Sequence, residues 1–98
     1  MARESDFQRA LKRKIKAMFP EAIILKTDGE PQGMTDLTVL LNKTWFSLEC
    51  KASEKAHHQP NQDYYVDKMN DMSFSRFIFP GNEEMVLNEL LLFFNGGE

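Results

Sequence analysis

The sequence predicts a single-domain α/β or α+β sandwich with element order αβββαβα. Three observations carry this. Apolar residues recur at helical spacing in three stretches, short β-branched or apolar runs fill the intervals, and 98 residues leave room for only one core. Residues 1–98 are therefore read as one domain. With 42% apolar and 28% charged residues and eight phenylalanines, the composition is that of a folded globular protein. A lone Cys50 excludes an internal disulfide framework and fits a reducing compartment. No apolar run approaches the roughly 20 residues that cross a bilayer. The start MARESDFQRALKRK also lacks the apolar stretch of a signal peptide, so an unexported cytoplasmic protein is expected.

Ser5 and Gln8 have the form of a capping box, and Phe7, Leu11, Ile15 and Met18 follow at helical spacing. A first helix is predicted over about residues 5–19, ended by Pro20. Its apolar stripe leaves Arg9, Lys12, Arg13 and Lys16 on the outer face. Residues 22–27 form a first strand ended by Asp28-Gly29, with a loop through Pro31 and Gly33. Residues 37–41 and 44–51 form two more, joined at Asn42-Lys43, which completes a meander. After a polar, turn-rich stretch, a second helix begins near Asn61 or Gln62 with Asn61 as its N-cap. Residues 74–79 form a fourth strand closed by Pro80-Gly81. Asn82 then caps a last helix with Glu83 and Glu84 in its first turn. The strand, helix, strand unit predicts a parallel crossover and hence a mixed four-stranded sheet. The Gly96-Gly97-Glu98 tail is expected to fray.

The hairpin brings chemistry together. If Leu41 pairs with Thr44, stepping outward along the two strands sets Asp36 opposite Glu49. Opposed side chains have Cβ atoms about 5 Å apart, so two carboxylates so placed repel. Lys51 lies two residues past Glu49 and shares its face. One reading is an exposed carboxylate pair neutralised by lysine on a solvated sheet surface. The other is a site: Gly29 and Gly33 let backbone approach a ligand, and paired carboxylates suit Mg²⁺ or Mn²⁺. Such an ion polarises a phosphoryl oxygen, and Lys51 would orient or deprotonate the attacking water.

Gly33-Met34-Thr35-Asp36, then twelve residues, then Glu49-Cys50-Lys51 resembles the G-x-x-D…E-x-K signature of the PD-(D/E)XK nucleases. Glu4 with Phe7-Gln8, the glycine-bearing loop, the short hairpin and Pro60-Asn61-Gln62 resemble the VRR-NUC branch, small phage and bacterial nucleases related to Holliday junction resolvases. The resemblance implies a restriction-endonuclease-like αβββαβ core, here with an added C-terminal helix. It implies Asp36, Glu49 and the Cys50 carbonyl as metal ligands and Lys51 acting on water. Glu4 corresponds to a further ligand, with Asp6 close enough to compete, and Gln62 to a supporting glutamine. Thr35 departs from the proline that many members carry, a change of backbone stiffness and not of chemistry.

Beyond these residues, adjacent His57 and His58 point apart and are not expected to share a metal, and Cys50 has no partner base. Tyr64 and Tyr65 either stack on unpaired bases or pack, and at least one is expected in the core. Net charge is −3, yet six of the twelve basic residues fall in the first sixteen positions. The helix 1 basic face is either a solvated surface or a track for the DNA backbone. Met85, Val86, Leu87, Leu90, Leu91, Leu92, Phe93 and Phe94 exceed what one side of a small monomer buries, so a homodimer is expected, which would suit a two-fold junction. The resulting expectation is a Mg²⁺- or Mn²⁺-dependent endodeoxyribonuclease acting on branched DNA such as Holliday junctions, in a bacterial cell or phage-infected host. The alternatives are a non-catalytic nucleic-acid-binding accessory protein of the same fold and a protein-interaction module built on the last helix.

Overall fold

Seven elements follow one another in the computed structural model, which describes residues 3–95: α1 (Glu4–Met18), β1 (Ile23–Lys26), β2 (Leu37–Leu41), β3 (Thr44–Cys50), α2 (Gln62–Met72), β4 (Ser75–Ile78) and α3 (Glu83–Asn95). The expected fraying of residues 96–98 lies outside the described residues. The fold is α/β with a mixed sheet ordered β1-β2-β3-β4, in which β1, β2 and β3 are antiparallel neighbours and β4 runs parallel to β3. Asn42 and Lys43 both take positive φ, 54° and 71°, as the tightest hairpin turn requires. Leu41 therefore pairs with Thr44 and Leu37 with Leu48, the register the sequence predicts.

Strand alternation splits the sheet into two faces. Leu37, Val39, Phe46, Leu48, Cys50 and Ile78 point to one face, where Phe7, Leu11 and Ile15 of α1 and Val86 and Leu90 of α3 bury them. Leu11 and Ile15 are fully buried, each removal from water contributing about 1.5–3 kcal/mol. Phe19, Phe46 and Phe94 form a triangle of rings with centroids 5.3–6.2 Å apart that locks the end of α1 to β3 and α3. The other face belongs to α2: Ser47 Oγ meets Met69 Sδ at 3.8 Å and shares a 2.8 Å hydrogen bond with Ser75 Oγ.

The start of α1 differs from expectation, while α2 and α3 begin at the predicted residues. Arg3, not Ser5, is the N-cap of α1, without a side-chain hydrogen bond; Ser5 lies inside a helix whose first turn holds Glu4 and Asp6, where the helix dipole favours acids. Asn61 does precede α2, but in a left-handed conformation with no side-chain cap. Asn82 spends its side chain on the end of β4, accepting from Phe79 N–H at 2.8 Å and donating to the Phe77 carbonyl at 3.1 Å. Neither tyrosine joins the core: Tyr65 is half-buried and Tyr64 is 59% exposed, because α2 turns only Val66 and Met69 inward. On α3, Met85, Leu91, Leu92 and Phe93 remain exposed. No described helix is long and apolar enough to cross a membrane.

Candidate active site

The predicted residues meet where β2 begins and β3 ends. One step beyond the Leu37–Leu48 pair, Asp36 and Glu49 point away from the α1 face, because the residues beside them point into it. The amide of Cys50 donates to Asp36 Oδ2 at 2.8 Å, which ties the loop end to the strand. Gly33 shapes that loop. Its φ is +91°, and a Cβ there would lie 2.7 Å from Asn61 Cβ and 2.8 Å from the Pro60 carbonyl oxygen. The glycine thus lets the loop before Asp36 lie against the loop before α2, where the sequence reading had it admit a ligand. Gly29 has nothing within 4 Å of an added Cβ, so no close approach depends on it.

Gln62, first residue of α2, joins the charged groups. Its Nε2 donates to Glu49 Oε2 at 2.8 Å, and its Oε1 accepts from Lys51 Nζ at 2.6 Å and from Gln59 N–H at 2.8 Å. Lys51 Nζ also donates to the His57 carbonyl at 3.0 Å and lies 3.7 Å from Glu49 Oε2. Exposure bears on the first of the two readings of this cluster: Asp36 is 7%, Glu49 2% and Lys51 5% exposed. A neutralised pair on a solvated surface is overturned, and a buried charged cluster stands in its place. Burying such charges is costly, so the cluster is not explained as a gain in stability.

Burial pushes the Glu49 carboxyl up to about 8, with the Asp36 charge adding to the effect and Lys51 opposing it. Desolvation also raises Asp36, against the lowering effect of the Cys50 amide. Glu4 is raised by desolvation and then by the Asp36 charge. Glu49 thus keeps its proton at neutral pH beside the Asp36 carboxyl.

The cluster lies in a polar cavity of about 540 Å³, also lined by Glu4, Asp28, Met34, His57 and Gln59. Glu49 Oε1 is buried there without a hydrogen-bond partner. An unpartnered carboxylate oxygen beside a second carboxylate is the donor set a hard cation takes. No three His, Cys, Asp or Glu side chains among the described residues group closely enough to hold an ion by themselves. A cation here would take Asp36 and Glu49 and fill its other positions with backbone carbonyl, water or substrate oxygen, which is how Mg²⁺ is usually held.

Glu4 and Asp6 are separated by the fold. Glu4 lines the cavity, whereas Asp6 accepts from Arg9 at 3.2 Å and lies 3.5 Å from Arg3. The Cys50 side chain points into the core, where burial pushes its thiol up, so a nucleophilic role is closed to it. Arg9, Lys12, Arg13 and Lys16 do not line the cavity, and Lys16 Nζ is spent on the Ala22 carbonyl at 2.7 Å. His58 stacks on Phe77 with ring centroids 4.2 Å apart and contacts Asp63 Oδ1 at 2.7 Å, while His57 lines the cavity. Three contributions escaped the sequence: Lys26, whose charge lowers both Asp36 and Glu4, Gln59 N–H and the His57 carbonyl. Backbone groups carry no residue signature, and Lys26 sits in a strand legible only by its apolar neighbours. No family model matches the chain, and no curated protein or solved structure matches it.

Proposed function

We propose that the protein is a metal-dependent endonuclease of restriction-endonuclease-like fold, similar to the VRR-NUC nucleases, which hydrolyses phosphodiester bonds in branched DNA. The observation that supports this most is the buried Asp36, Glu49, Lys51 and Gln62 cluster with an unpartnered Glu49 oxygen facing a polar cavity. Asp36 and Glu49 would hold Mg²⁺ or Mn²⁺, with Glu4 reaching in from the rim and the Cys50 carbonyl as the backbone ligand. When bound, such an ion polarises the phosphoryl oxygen and lowers the pKa of a coordinated water. The chain supplies the rest. Gln62 fixes the orientation of Glu49 and Lys51 at once, and Lys51 brings positive charge to where the attacking water and the crowded phosphate oxygens meet. Arg9 and Arg13, exposed on α1, with the half-buried Lys12 beside them, would offer sequence-independent contacts for the DNA backbone. Two copies would meet through the exposed apolar residues of α3.

The test follows labelled four-way junction, flap, linear duplex and single-stranded DNA with Mg²⁺, Mn²⁺ or EDTA. Cutting in either metal that is absent in EDTA and in Lys51→Ala is the expected result. The accessory-protein reading draws on there being, among the described residues, no third acidic side chain grouped closely with Asp36 and Glu49. Junction binding without cutting in either metal would favour it, and neither binding nor cutting would sink both.

A further inference from the structure

Beside the carboxylate cavity, on the same side of the sheet, lies an apolar groove of about 390 Å³. It is lined by Trp45 of β3, by Tyr64, Tyr65, Lys68 and Met72 of α2, and by Met34 from the loop before β2. Met34 lines both cavities, so the two adjoin at this side chain. Trp45 and Glu49 share a face of β3 and are four residues apart, about 13 Å, which is a few nucleotides of strand.

The groove leaves aromatic surface in water. Tyr64 is 59% exposed and meets Tyr65 edge to face, with centroids 5.1 Å apart and planes at 82°. In such a pair the ring presenting its edge keeps its faces uncovered by its partner. Lys68 is the one charged residue among those lining the groove. We infer that this groove is a stacking subsite for unpaired nucleobases. Resting on the nuclease reading above, it narrows the substrate class to DNA with a single-stranded segment next to the scissile phosphate. Bases bring π-faces to the three aromatic rings, and the strand's phosphates answer Lys68, whereas duplex bases hide their faces in the stack. The rival occupant, a second copy of the chain, would leave the lysine without a role.

Trp45 is the only tryptophan, so its fluorescence reports the groove directly. In EDTA, oligothymidylate is expected to quench Trp45 saturably, and an abasic oligomer of equal length to bind at least about tenfold more weakly. Tyr64→Ala should lose about tenfold in affinity for oligothymidylate, and Tyr64→Phe, which keeps the ring, should recover it. Equal binding of the abasic oligomer, or no quenching, overturns the subsite. A concentration-dependent Trp45 shift without DNA, matched by doubled mass, gives the groove to a second copy and overturns it too. Because the titration needs no catalysis, quenching without metal-dependent cutting removes the nuclease reading alone, and cutting without quenching removes the subsite alone.

Discussion

Replacing Glu49 by glutamine removes one ionisable group from the buried pair while keeping its shape and an oxygen to accept from Gln62. In the folded protein this carboxyl keeps its proton up to about 8, against an ordinary value of 4.5. The unfolded chain therefore binds fewer protons than the folded one between those values, and stability falls as pH rises through that window. At about 1.36 kcal/mol per pH unit, the parent loses about 3 kcal/mol between pH 4.5 and neutrality that the amide does not. The assay is urea unfolding in EDTA, followed by Trp45 fluorescence at several pH values. The stability of Glu49→Gln relative to the parent should grow by about 3 kcal/mol over that range. Comparing differences cancels whatever the amide itself costs. In the parent, Mn²⁺ should raise the midpoint more at pH 8 than at pH 6, since binding must displace the Glu49 proton. The variant should show no such metal effect. A stability difference that stays constant with pH would refute the account of Glu49 as a desolvated carboxyl.

Two further outcomes follow from the geometry. Gly33→Ala meets a left-handed φ and backbone atoms at 2.8 Å, so it should destabilise by more than the roughly 1–2 kcal/mol of the conformational term alone and weaken metal binding by displacing the Asp36 loop. Calorimetry with and without Mn²⁺ measures both, and a neutral variant would mean the two loops do not depend on their close approach. Leu92→Asp, at a position 70% exposed, should leave the fold intact and convert the proposed dimer to a monomer in light scattering; a monomeric parent, or a dimer unchanged by the substitution, would refute an interface on α3.

The sequence by itself determined the sheet and the pairing at its centre. A two-residue turn at Asn42-Lys43 admits one register, and that register carries Asp36 to Glu49 while strand alternation adds Lys51 to their face. These are short-range constraints, readable because turn geometry and the period of a strand are local. Helix capping is also local: Asn61 is the N-cap of α2 and Asn82 directly precedes α3, as the sequence predicts, whereas Arg3 takes the place expected of Ser5, because near a helix start several polar residues compete and packing selects among them. Only the tertiary structure decided that the three charges are buried, that Gln62 joins Glu49 to Lys51 across the layer, and that Glu4 and not Asp6 reaches the cavity. Each depends on where α1 and α2 dock on the sheet, a sum of many weak apolar contacts with no signature at any single position. The tyrosines show the same dependence: α2 docks through Val66 and Met69, and that choice left Tyr64 in water beside Trp45.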